Sequence, residues 1–181
     1  FSDERGSGFF MRGKDEPPLI ARAKEIYDGA IPSGNSVAVY ALLRLSRLTA
    51  DSQFEEAARR ALEGFAEPLE RHPFGSPVMY WAVDFALGPT QEIVIAGDPS
   101  AHDTGQMVKA LHARYLPRAV TLLHPSGTAG KAIETLAPYV AQQGPRRGQA
   151  TAYICENFIC QLPITDVATF LKRLPGGEPD A

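Results

Sequence analysis

At 181 residues and 44% hydrophobic content, the chain is long enough to bury a core, either as one large domain or as two small ones. A formal charge of −3 and a pI near 5.8, with Lys and Arg scattered along the chain, exclude the basic stripe of a nucleic-acid surface. Two cysteines are too few for a disulfide scaffold or a four-cysteine zinc site, and no apolar run approaches the roughly 20 residues of a membrane span.

The opening FSDERGSGFFMRGKDE lacks Met and lacks the basic-then-apolar order of a signal peptide. It reads as the end of a glycine-turned hairpin or loop, so a piece of a longer cytoplasmic protein with reduced thiols is expected. From Ser33 to Leu87 the rhythm is helical. Val37, Ala38, Ala41, Leu42, Leu45 and Leu48 recur at three- and four-residue spacing and predict one buried helix face. Phe54, Ala57, Ala58, Ala61, Leu62 and Phe65 predict a second helix, with Ser52 and Glu55 at capping-box spacing. A third is expected from Ser76, with Pro77 in its first turn, Trp81 and Phe85 inward, and Gly88-Pro89 as its stop.

Beyond Gly88 the pattern changes. QEIVIAG, AVTLLH and ATAYIC are short runs rich in β-branched or apolar residues and predict three strands. Between them, Met107, Val108, Leu111 and Tyr115 mark one helix, with Asp103 and Gln106 at its capping positions, and Ile133, Leu136, Ala137 and Val140 mark another. A last helix starts near Thr165 and carries Val167, Phe170, Leu171 and Leu174. Alternating strand and helix predicts a three-stranded parallel βαβαβα layer. The fold class expected is therefore α/β overall: helical hairpins over 1–88, a small α/β segment over 89–175, and a tail over 176–181.

Four stretches carry candidate chemistry. In DGAIPSGN, Ser33 or Asn35 suits a helix cap and the glycines suit a tight approach. The same loop at the mouth of a helical barrel would direct Asp28, Ser33 and Asn35 at a polar ligand such as a sugar. Asp28 alone offers one acid or base group where glycosidic hydrolysis uses two. IVIAGDPSAHDTG has the exposed amides of a helix start but neither phosphate-loop signature, and Asp98 and Asp103 put negative charge where a phosphate would sit. His72, His102, His112 and His124 are widely spaced; His102 and His124 each follow a strand, and no third ligand accompanies them, so neither metal nor cofactor is expected. CENFIC places Cys155 and Cys160 five apart, unlike a CxxC motif. Buried free thiols are the expectation, since a disulfide would need a turn at Glu156-Asn157. Glu156 and Asn157, at a strand end, are candidates for ligand or interdomain contact.

Taken together, KEIYDGAIPSGNSVAVYALLRL, QEIVIAGDP and ATAYICENFICQLPITD resemble the C-terminal portion of the YyaL-like thioredoxin-domain-containing family. The resemblance implies a longer protein, with an N-terminal thioredoxin-like domain and a helical region similar to six-hairpin, α/α-toroid glycosidases and sugar 2-epimerases. It further implies that this chain holds the toroid's final hairpins and the small α/β segment, without the thioredoxin-like CxxC. In such toroids the loops at one end of the inner helices line the site. Asp28 then becomes a candidate catalytic residue, with Ser33, Asn35, Glu156 and Asn157 as ligand contacts and a carbohydrate or sugar-like metabolite as partner. The alternative is a noncatalytic scaffold that presents clients to the thioredoxin-like domain through CENFIC and the surface around Trp81. A homodimer covering exposed helix faces is a further expectation; nucleic acid and membrane are not expected partners.

Overall fold

The computed structural model describes residues 1–3, 6–17 and 20–175, and the expected tail over 176–181 lies outside them. The chain forms two compact units, Phe1–Ser46 with Asp51–Gly88, and Arg47–Ala50 with Pro89–Ala181. Among the described residues, no helix is long and apolar enough to cross a membrane.

In the first unit the N-terminal segment turns back on itself. Ser2 bridges Phe9, and the Phe10 amide donates to the Phe1 carbonyl at 2.8 Å. Three helices follow, α1 (Gly34–Thr49), α2 (Ser52–Arg71) and α3 (Pro77–Leu87), with a 3-10 turn at Pro73–Gly75. The alanine-rich stripe of α2 behaves as its spacing predicts, burying Ala58, Ala61, Phe65 and Leu69. Its cap differs: Asp51, rather than Ser52, accepts the Gln53 amide at 2.9 Å and brings negative charge to the helix start.

The buried face of α1 is rotated from the expected one. Val37, Ala41 and Leu45 lie exposed, while Asn35, Ser36, Val39, Leu43 and Ser46 are buried. Hydrogen bonding explains the rotation, because each buried polar side chain has a partner: Ser46 donates to the Leu43 carbonyl, Ser36 pairs with Ser33, and Asn35 reaches two other backbone segments. On α3, Met79, Ala82 and Phe85 form the buried stripe, and Phe85 meets Tyr40 edge-on at 5.9 Å. Trp81, expected inward, is 62% exposed because it lies off that stripe.

The second unit is built on β1 (Gln91–Ala96), β2 (Ala119–His124), β3 (Thr151–Glu156) and β4 (Ile159–Cys160), in the order β2-β1-β3-β4. β1 and β2 are parallel. β3 runs antiparallel to β1, and β4 runs antiparallel to β3, so the sheet is mixed and four-stranded instead of parallel and three-stranded. The connection accounts for the reversal. Helix α5 (Thr128–Leu136) stops early, and a 3-10 segment at Pro138–Gln142 follows in place of a single long crossover helix. The chain therefore enters β3 beside the end of β1 at which it left β2, with Thr151 opposite Ala96.

Helices α4 (His102–His112) and α6 (Val167–Arg173) cover one sheet face. There Met107, Leu111, Phe170 and Leu174 pack on Ile93, Ile95, Ala152 and Ile154. Each fully buried side chain of this size contributes about 1.5–3 kcal/mol. The other face carries Val94, Ala96, Tyr153 and Cys155 under Ala137, Val140 and Tyr139. Tyr115 and Leu136, both expected inward, are exposed, Tyr115 because it lies beyond the end of α4. Asp103 does not form a capping box with Gln106. Its carboxylate accepts the amides of Thr104 at 2.9 Å and Ala150 at 2.7 Å, tying the start of α4 to the approach to β3.

Candidate functional site

The loop before α1 is held by its own polar side chains. Asp28 Oδ1 accepts the Ser33 amide and Oδ2 accepts the Val78 amide, each at 2.8 Å, while the Asp28 amide donates to the Gly75 carbonyl at 2.7 Å. Both carboxylate oxygens thus bind backbone. Ser33 caps α1 by accepting the Ser36 amide at 3.1 Å. Asn35, only 2% exposed, accepts the Phe9 amide at 2.7 Å and donates to the carbonyls of Phe9 and Glu25 at 2.9 Å each. The polar atoms that sequence reasoning directs at a ligand are engaged with the chain itself.

What this loop presents outward is Tyr27, 63% exposed. With Ile26, Pro68, Arg71, His72 and Phe74 it lines an open cleft of about 640 Å³. Phe74 stands almost entirely in solvent, and the Tyr27 ring lies so close to Gly75 that a Cβ there would meet it at 3.0 Å. Two aromatic side chains, a guanidinium and an imidazole around one opening form a mixed apolar and polar surface.

The other candidates resolve as follows. After β1, Asp98 accepts the amide and hydroxyl of Ser100 at 2.8 and 2.7 Å, so carboxylates of the chain take up amides that a phosphate would use. The ring nitrogens of His124 lie 2.8 Å from the Gln143 carbonyl and 3.1 Å from Glu134 Oε1.

The largest departure from expectation is CENFIC. Cys155 and Cys160 form a disulfide instead of remaining free thiols. They sit directly opposite each other in the β3–β4 hairpin, whose two-residue turn, Asn157-Phe158, has φ of 51° and 63°. Two positive values are the signature of the turn that suits the natural strand twist. Phenylalanine is an unusual occupant of such a position.

Contacts within the second unit hold this tip. The Phe158 amide donates to Glu92 Oε2 at 2.9 Å, its ring meets Tyr139 edge-on at 5.2 Å, and the Arg47 guanidinium lies 5.9 Å over that ring. Arg47 also donates to Asn157 Oδ1 at 3.3 Å and stands 3.9 Å from Glu92 Oε1. Glu92 has no solvent exposure. Burial pushes its carboxyl pKa upward, offset in part by the Phe158 amide and the Arg47 charge. Burial, with a smaller effect of Glu92, pushes the Tyr139 phenol up to about 12. Glu92 Oε1, Tyr139 Oη and Gln143 Oε1 are buried without a hydrogen-bond partner among the described residues. Gln143 Nε2 lies 3.3 Å from the Cys160 sulfur and 3.6 Å from that of Cys155.

Asp28, Ser33 and Asn35 thus gather in the first unit, and Glu156 and Asn157 lie at the hairpin tip of the second. Sequence reasoning missed Glu92, Tyr139 and Gln143. The available signal was Glu92 itself, a carboxylate inside the otherwise apolar run QEIVIAG, a placement charged residues seldom take without a partner.

No known family model matches the chain. It is 34% identical over 175 residues to human (Homo sapiens) spermatogenesis-associated protein 20, an alignment covering 96% of this chain and 22% of that protein. The Rattus norvegicus and Mus musculus proteins of the same name each match at 34% over 178 residues, with the same coverage. An uncharacterised protein of Caenorhabditis elegans is 26% identical over 160 residues, 88% of this chain and 21% of that protein. The chain spans about a fifth of the length of these relatives. The chain, matched over 96% of its length, belongs to the spermatogenesis-associated protein 20 family and corresponds to 22% of the length of those relatives.

Proposed function

We propose that the helical unit is the closing part of an α/α toroid, and that the cleft beside Tyr27 binds a carbohydrate or sugar-like metabolite. The observation that carries this reading is the pairing of exposed Tyr27 and Phe74 with Arg71 and His72 around one opening. Aromatic faces pack on the C–H faces of a sugar ring, and the flanking donors bind its hydroxyls. Asp28 serves here as a positioning residue that fixes the loop carrying Tyr27. One carboxylate already bound to two amides is not the pair that glycosidic hydrolysis uses, so the reading is one of binding.

A panel of glycans, free sugars and sugar phosphates titrated into the chain by calorimetry tests it. At least one class is expected to bind, with Tyr27→Ala and Phe74→Ala each weakening it by about tenfold. No binding across the panel would end this reading.

The second reading is a noncatalytic module that presents clients to a thioredoxin-like domain. It is favoured by the disulfide that ends at exposed Cys160. A thioredoxin-like domain stripped of its resolving thiol should then be trapped on the chain as a mixed disulfide, and a clean absence of adduct counts against it.

A further inference from the structure

We propose that the Cys155–Cys160 hairpin is a thiol–disulfide exchange centre, in which Cys160 receives an incoming thiolate and Cys155 is the leaving group. The proposal deepens the second reading and is independent of the saccharide cleft.

The two sulfurs are unequal. Cys155 is 1% exposed and belongs to the apolar face of the sheet, whereas Cys160 lies exposed at the end of β4. A nucleophile approaching from solvent therefore meets Cys160, and the electron pair departs on the inner sulfur. Exposure alone assigns the two roles, and one polar group serves a departing thiolate. The Gln143 side-chain amide lies 3.6 Å from the Cys155 sulfur and 3.3 Å from that of Cys160, so it serves a thiolate on either one, and the residue is only 6% exposed. It is also fixed in place, since its backbone amide donates to the Val140 carbonyl at 2.8 Å and its carbonyl lies 2.8 Å from the His124 ring. A donor held at a sulfur stabilises negative charge developing there.

Glu92 supplies the proton. It is the cross-strand partner of Cys155 in the β1–β3 ladder, so both side chains stand on the same face. One of its oxygens holds the Phe158 amide; the other is buried without a hydrogen bond among the described residues. The Arg47 guanidinium stands 3.9 Å from that second oxygen and favours its charged form, burial favours the protonated one, and Tyr139 packs on the same face; a carboxyl group so balanced can give a proton to the Cys155 thiolate on reduction and take it back on oxidation.

The steps balance. The thiolate of a dithiol, on a protein or a small molecule, attacks Cys160 Sγ; the hairpin S–S bond breaks, a mixed disulfide forms, and Cys155 leaves as a thiolate that takes the proton of Glu92. The second thiol of the dithiol, deprotonated by solvent, then attacks its own partner sulfur in the mixed disulfide. Cys160 is expelled as a thiolate and takes a proton from solvent, and the carboxylate of Glu92 regains its proton likewise. Two electrons pass to the hairpin, and the dithiol departs oxidised.

The test is to equilibrate the chain in glutathione buffers of graded ratio, quench with an alkylating reagent and count modified cysteines by mass. Both thiols are expected to appear together, reversibly, with far-ultraviolet circular dichroism unchanged. Cys155→Ser is expected to take one glutathione at Cys160 about tenfold faster than Cys160→Ser takes one at Cys155. Glu92→Gln is expected to shift the pH profile of exchange and Gln143→Leu to slow it. A hairpin that stays oxidised across the whole series and opens only on denaturation would overturn the proposal, as would equal rates at the two sulfurs. These readings on the unsubstituted chain and the cysteine variants stand even if Glu92→Gln fails to fold. Exchange with glutathione but no adduct with a thioredoxin-like domain supports the centre and removes the client-presenting reading.

Discussion

The backbone amide of Phe158 donates to the buried carboxylate of Glu92 at 2.9 Å, so the hairpin tip is anchored on the first strand of the sheet. Glu92→Ala leaves that amide without its acceptor and is expected to cost about 1–3 kcal/mol. Glu92→Gln keeps an acceptor and separates the effect of charge. Burial raises the Glu92 pKa above 4.5, so the folded state holds the proton more tightly than the unfolded one. That contribution is fully present below pH 4.5 and is lost as pH rises through the folded value. Urea denaturation of both proteins from pH 4 upward should show the wild type losing stability relative to Glu92→Gln; a constant difference would refute the burial argument.

Phe158 sets backbone conformation against side-chain contact. Its positive φ is unfavourable for a residue with a Cβ by roughly 1–2 kcal/mol, while its ring packs on Tyr139. Phe158→Ala loses the ring and keeps the strain, whereas Phe158→Gly loses the ring and relieves it, creating the Asn-Gly pair this turn prefers. The glycine variant is expected to be more stable than the alanine variant by about 1 kcal/mol in chemical denaturation. Equal stabilities would mean that the tip relaxes.

Asn35 distinguishes architecture from ligand contact. Three hydrogen bonds join it to Phe9 and Glu25, so Asn35→Ala is expected to lower stability by roughly 3 kcal/mol. Asn35→Asp should be worse, because it sets a carboxylate against two carbonyls. Full stability with lost ligand affinity would return Asn35 to the role of a ligand contact.

Trp81 is the single tryptophan and is 62% exposed. Its emission in the isolated chain is expected at solvent-like wavelength and readily quenched by iodide. A blue-shifted, protected signal would show that a second copy covers this face, as a homodimer requires.

The elements were legible where one physical signal dominates. The stripe of α2 and the β-branched run of β1 each follow from apolar spacing. The direction of β3 was not, since a strand buried on both faces has the same hydrophobic pattern whichever way it runs; Pro138 and the shortness of α5 decide it. The face of α1 differs because counting apolar residues ignores Asn35, Ser36 and Ser46, whose burial depends on backbone distant in sequence, on the capping Ser33 and on the helix backbone respectively. At CENFIC, Asn157 signals a left-handed turn residue and Phe158 does not, so the hairpin that joins the cysteines leaves only half of its mark in the sequence.

The Cys155–Cys160 bond closes a loop only five positions long, and the Phe158–Glu92 contact spans 66. On chain-entropy grounds a loop that short restrains the unfolded chain by about 2 kcal/mol, against about 4.7 for a hundred-residue loop. The long-range restraint comes from the hydrogen-bonded anchor and the β1–β3 ladder, not from the covalent link. Opening the bond frees little of the unfolded ensemble, so the sheet can survive a change in its oxidation state.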